Sequence, residues 1–103
     1  MLQISTEFRK GVFFVRLVGR IDNEGYLEDI NRTIEQVGIR NIVLNLNDLN
    51  DISLESIRHI INYNDKILKK KKQLFICDTN DIRKRVFSTI PNISNEIEAF
   101  SLI

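Results

Sequence analysis

Few residues in this chain have both the type and the spacing for chemistry, and most of them gather between Asp48 and His59. Asp48, Asp51 and Glu55 lie close enough in sequence to recruit a hard, oxygen-loving cation, although turn and helix-cap duty accounts for such acids more simply. His59 is the single histidine. Without an identifiable partner it reads as a boundary residue on a helix rather than a general base. Cys77 is the single cysteine; it closes the apolar run Leu74-Phe75-Ile76 and reads as a reduced, buried thiol of a core strand. One histidine and one cysteine fall short of a clustered zinc-ligand set, so no metal is expected. Gly11, Gly19, Gly25 and Gly38 match neither a phosphate-cradling loop nor a dinucleotide fingerprint, and no cofactor is expected. Arg83-Lys84-Arg85 and Lys69 to Lys72 read as a solvated face and a solvated helix end. Nothing here assembles a nucleophile with its base. The chain reads as a non-enzyme.

The elements that carry these residues follow from periodicity. Leu2 to Phe8 alternates weakly, as an edge strand does, and Arg9-Lys10-Gly11 supplies a turn in which Gly11 can take positive φ. Val12 to Val18 is the return strand, with Phe13, Val15 and Leu17 on one face and Val12, Phe14 and Val18 on the other. Arg16 interrupts the second face, which should be only partly covered. Asp22 or Asn23 can cap a first helix whose stripe is Leu27, Ile30, Ile34 and Val37, closed by Gly38. Asn41 to Leu46 is crowded with apolar residues, the mark of a strand covered on both sides. A polar run from Asn47 to Ser53 leads into a helix from about Leu54 to Lys70, with apolar residues at Leu54, Ile57, Ile60, Ile61, Ile67 and Leu68. Its unpaired N–H groups make an anion-favouring end, and Glu55 stands in the first turn. Gln73 to Cys77 is a further strand. Asp78, Thr79 and Asn80 offer caps for a helix carrying Ile82, Val86, Phe87 and Ile90, stopped by Pro91. Asn92-Ile93 forms a short strand, and Asn95 with Glu98 has capping-box spacing for a last short helix. The order β-β-α-β-α-β-α-β-α predicts an α/β domain: a mixed, mainly parallel sheet of about five strands with about four packed helices.

Bulk properties set the outer limits. The 103 residues suit a single domain over 1–103, with 43% hydrophobic and 28% charged residues in the ordinary globular range. Fifteen basic against fourteen acidic residues give a net charge of +1, which supplies no electrostatic case for nucleic acid. An apolar run of about 18 residues, as membrane insertion needs, is missing, and so is a signal peptide. A cytoplasmic protein is expected.

Two phrases carry a family resemblance. Val12-Phe13-Phe14-Val15-Arg16-Leu17-Val18-Gly19-Arg20-Ile21-Asp22 resembles V-x-x-x-R-L-x-G-x-L-D, and Ile42 to Ile57 aligns without a gap to I-V-L-N-L-x-D-L-x-x-M-D-S-S-G-L. These are phrases of the STAS domain, specifically of the bacterial anti-sigma-factor antagonists (anti-anti-sigma factors). The resemblance implies the STAS fold and a transcription regulator that works by partner switching. In that family an anti-sigma factor with serine-kinase activity is bound by the unmodified antagonist, and it phosphorylates the second serine of D-S-S-G to end the interaction. Phosphate at a helix N-terminus adds about −1.5 to −2 charges to a partner-facing surface without refolding the domain.

The chain departs from the pattern at that point. Ser53 stands for the family aspartate, Leu54 for the first serine, Glu55 for the phosphorylated serine and Ser56 for the glycine. A carboxylate, favoured by the helix dipole but carrying less charge and fewer oxygens than phosphate, replaces the acceptor hydroxyl. Three readings are open for Glu55: a helix-start residue in a degenerate copy, a permanent mimic of the phosphorylated state, or a marker that the switch has moved to Ser53 or Ser56. The last competes with Ser53 acting as an N-cap. The resemblance places the partner surface on Asn50, Asp51, Ser53, Leu54, Glu55, Ser56, Arg58 and His59, flanked by Asp22. The expected partner is an anti-sigma factor, a serine-kinase-like protein or another signalling protein, with neither nucleic acid nor membrane insertion. Two alternatives remain: a structural or regulatory STAS subunit of a larger signalling or transport assembly, and a small-ligand sensor.

Overall fold

The hairpin turn dictates how the sheet begins. In a computed structural model, which describes all of residues 1–103, β1 (Leu2–Arg9) and β2 (Val12–Arg20) pair antiparallel from Leu2↔Gly19 to Arg9↔Val12. The two turn residues both take positive φ, Lys10 at 51° and Gly11 at 83°. That is the combination whose twist matches paired strands, and glycine takes it without steric cost. The remaining strands are β3 (Asn41–Asp51), β4 (Gln73–Cys77) and β5 (Asn92–Ile93), in the order β1-β2-β3-β4-β5 with every pair after the first parallel. Parallel neighbours need crossovers. These are α1 (Gly25–Val37), α2 (Leu54–Lys69) and the short α3 (Asp81–Val86).

Strand alternation sorts the core into two layers. Phe13, Val15, Leu17, Ile42, Leu44, Leu46, Leu74 and Ile76 face Leu27, Ile30 and Ile34 of α1, Ile60 and Ile67 of α2, and Phe87 and Ile90 beyond α3. The opposite face is smaller: Val12, Phe14, Val43, Phe75, Cys77 and Ile93 are covered by Ala99 and the half-buried Phe100. A single 3-10 turn (Glu96–Glu98) and α4 (Ala99–Leu102) supply that cover, with Phe14 and Phe100 edge to face at 5.7 Å. Arg16 emerges on this thinner side, half-buried. Its guanidinium donates to Glu96 at 2.7 and 2.8 Å and to Glu7 at 2.8 Å, while Asn45 Nδ2 donates to Glu96 at 2.9 Å. The partly covered face is therefore closed by an ion-pair network that joins the final turn to the sheet.

Several boundaries differ from the sequence expectation, each for a physical reason. β3 does not stop at Leu46 but runs on to Asp51, pairing Val18↔Asp48, Gly19↔Leu49 and Arg20↔Asp51 through two register shifts. Beyond Asn45 it has lost β4 as a neighbour; past the buried Leu46 its polar residues face solvent and only Leu49 stays buried, at 5% exposure. Gly19 is what lets this ribbon bend: its φ is +96°, and a Cβ there would stand 2.5 Å from the Met1 carbonyl oxygen. α1 is capped by neither expected side chain. Glu24 is the N-cap residue without a side-chain bond, Asn23 Oδ1 accepts from the Gly25 N–H at 2.8 Å, and Asp22 pairs with the Met1 amine at 3.5 Å. α2 ends at Lys69, and its outer apolar residues Leu54 and Leu68 are exposed rather than core, as are Val37 of α1 and Ile82 and Val86 of α3.

Candidate functional site at the start of α2

β3 delivers the chain to the C-terminal edge of the sheet, where loops from the parallel strands converge. Ser53 leaves the strand direction with φ −76° and ψ 158° and caps α2. Its Oγ accepts from the Ser56 N–H at 3.1 Å and donates to Ser56 Oγ at 3.0 Å. One orphan donor of the helix start is thus satisfied by the residue type that does this best. Ser56 is buried at 8% exposure. The two hydroxyls of the displaced-switch reading are bonded to each other, and only Ser53 is open to solvent.

Between them, Leu54 and Glu55 point outward; Leu54 is 70% exposed. Arg58 is exposed, whereas His59 is half-buried. His59 Nδ1 lies 3.4 Å from Glu24 Oε2, and the donor atoms of Glu24, Glu55 and His59 all fall within 4.8 Å of one another. The β2–α1 loop therefore meets α2 through Glu24, a residue that sequence reasoning passed over. Half of the signal was legible, because Glu55 and His59 are one helical turn apart. The other half depends on a contact between separate elements. Asp22 is engaged by the N-terminal amine, and Asn50 and Asp51 are exposed at the end of β3, where Asp51 Oδ1 accepts from the Ile52 N–H at 2.9 Å. Asp48 and Asp51 do not join the cluster around Glu55.

Behind the loop the edge is held by a buried pair. Arg83 donates through Nε to Asp78 Oδ2 at 2.6 Å and through Nη1 to the Leu49 carbonyl at 3.2 Å. Asp78 is completely buried and the Arg83 side chain is 13% exposed. The expectation that Arg83 belongs to a solvated basic face is thus corrected: its guanidinium ties α3 to the ends of β3 and β4. Asn47 adds a second tie, accepting from the N–H and hydroxyl of Thr79 at 2.9 and 3.1 Å. A groove of about 390 Å³ runs between α1 and α2 past Glu24, Asn31, His59, Tyr63 and Lys70. In its wall the Tyr63 hydroxyl donates to Asn31 Oδ1 at 3.3 Å. Burial raises the Tyr63 phenol above its ordinary range, as it does that of Tyr26.

The arrangement offers charge and shape. His59 meets a carboxylate, not a hydroxyl or thiol, and burial pushes the Cys77 thiol up to about 11, where thiolate chemistry is suppressed. No helix is long and apolar enough to cross a membrane.

Comparison with known proteins bears on the fold that carries this site. A family model described as the STAS domain matches residues 3–97. Among solved structures, an anti-sigma factor antagonist from Mycobacterium paratuberculosis superposes with a TM-score of 0.81 at 16% identity, covering 100% of this chain and 94% of that one. The anti-sigma factor antagonist SpoIIAA in its unphosphorylated form gives 0.77 at 17% identity, covering 98% and 96%. A DUF3478-family protein from Shewanella loihica, described as having a SpoIIAA-like fold, gives 0.63 at 14% identity over 98% and 92%. The shared property is the fold: a single α/β domain with a five-stranded mixed sheet and helices packed on it.

Proposed function

The chain belongs to the STAS domain family, and from that premise we propose that it is a non-enzymatic regulatory module that binds an anti-sigma factor or a related serine-kinase-like protein. The observation that carries this reading is the exposed carboxylate of Glu55 in the first turn of α2, flanked by the exposed Leu54 and Arg58. An apolar side chain beside charges of both signs suits a protein partner, because desolvating Leu54 rewards contact while the charges select who makes it. The contact surface runs from Asn50 to Ser56 and along the open side of α2 through His59, with the Asp22 loop beside it.

In this proposal Glu55 holds the surface in one charge state. Relatives with a serine at the aligned position alternate between a neutral and a phosphorylated surface; here the helix start carries about one negative charge that no kinase adds or removes. Capping duty at Ser53 and burial at Ser56 argue against a relocated switch. The missing hydroxyl also favours a second reading, a constitutive STAS subunit within a larger signalling or transport assembly. Incubation with an anti-sigma kinase and ATP, read by mass spectrometry, tests the fixed state. Wild type is expected to remain unmodified, and Glu55→Ser to gain one phosphate. Stoichiometric phosphate on wild-type Ser53 or Ser56 would show a working switch and overturn the proposal.

A further inference from the structure

We propose that Glu24, Glu55 and His59 form a binding site for one divalent transition-metal ion of the zinc type, clamping the start of α1 to the first turns of α2. The donors come from two separate elements. Glu55 and His59 share one face of α2 a turn apart, and Glu24 reaches them from the N-cap position of α1. A tetrahedral ion with bonds of about 2.0–2.2 Å holds its ligands roughly 3.5 Å apart. His59 Nδ1 and Glu24 Oε2 already lie 3.4 Å apart, and the full set falls within 4.8 Å. Glu24, with 57% of its side chain exposed, can close the remaining gap by rotation about its own bonds.

The donor chemistry selects the ion. One imidazole nitrogen with two carboxylates suits zinc, nickel or copper; magnesium and calcium demand more oxygen ligands than this corner supplies. Two helix starts meet here, and their dipoles oppose a cation, each with roughly half a positive charge. Two full carboxylate charges outweigh them.

Three protein ligands leave the fourth position to water or to a donor from another molecule. The ion would cancel the two carboxylate charges, so the surface around Glu55 becomes responsive to metal although it carries no phosphate acceptor. Binding itself needs nothing from the partner reading, and a failed partner assay leaves it standing.

The test uses tag-free, chelator-stripped protein titrated with zinc chloride. Calorimetry is expected to give one ion per chain, with Glu24→Gln and Glu55→Gln each weakening binding about tenfold or more. Asp48→Asn and titration with magnesium chloride serve as controls and should show, respectively, unchanged zinc binding and no binding. A second readout needs no variant: His59 is the only histidine, so its ring resonances report directly and should shift to completion at one equivalent. The proposal is overturned if those resonances stay put in excess zinc, or if both glutamine variants bind as wild type does.

Discussion

Replacing Ser53 with alanine removes two contacts at once: the cap to the Ser56 N–H at 3.1 Å and the bond to Ser56 Oγ at 3.0 Å. Loss of an N-cap serine to alanine costs about 1 kcal/mol, within a range of roughly 0.5–2. The Ser56 side chain is left buried without its hydroxyl partner, which moves the expectation to the upper half of that range, about 1–2 kcal/mol. For a domain of this size each kcal/mol lowers Tm by roughly 4–8 °C. Urea denaturation should show the midpoint falling at an unchanged slope, because the surface exposed on unfolding stays the same. Two companions separate capping from generic damage. Ser53→Gly leaves Ser56 Oγ equally unpaired but should lose less than alanine, because glycine caps better, and Ser53→Asp should match or exceed wild type, since its carboxylate can cap and suits the helix start. Refutation is simple to recognise: alanine and wild type within about 0.3 kcal/mol, or aspartate less stable than alanine. Either result would remove the cap that orients Glu55.

Three further outcomes follow from the same contacts. The Glu96 carboxyl is held below its ordinary value by hydrogen bonds from Arg16, and Asn45 adds to the effect. A group depressed in the folded state contributes stability above its unfolded pKa, near 4.5, and loses it as pH falls through the folded value. Denaturation midpoints should therefore drop below about pH 4.5 in wild type, more steeply than in Glu96→Gln, and parallel curves would count against the network. Asp78→Asn leaves the Arg83 guanidinium with a weakened partner at a buried position; a loss of about 3–5 kcal/mol is expected in denaturation, and a neutral result would mean the pair is not closed. Cys77 is fully buried and its thiol is pushed up to about 11. Labelling by a thiol reagent at neutral pH should therefore track unfolding, whereas rapid reaction of the native protein would contradict its burial.

Sequence reading reached the fold through its most local signals. Gly11 marked the hairpin, the run Ile42 to Leu46 marked a strand covered on both faces, and Ser53 marked the helix start; each depends on a few neighbouring residues. The end of β3 was hidden because register shifts break the period of two, leaving Leu49 as a lone apolar residue in a polar stretch. Leu54, Leu68, Val37 and Ile82 were overassigned to the core for a related reason. Helical spacing says which residues share a stripe, but the edge of the stripe is set by whatever packs against it. Contacts between distant segments left no local trace. Arg16 is expected on a half-covered face from alternation alone, yet its partner Glu96 lies eighty positions away in sequence. Glu24 and Arg83 are likewise given their roles by elements that only the fold brings close.

The central claim is that a fixed negative charge at residue 55 sits on the partner-binding surface. Calorimetric titration of an anti-sigma factor kinase from the same genome with wild type, Glu55→Ser and Glu55→Arg addresses it most directly. The account predicts that the three affinities separate, with charge reversal shifting Kd about tenfold or more while the fold is retained. Measurable binding at one common affinity for all three would place the partner elsewhere and contradict it.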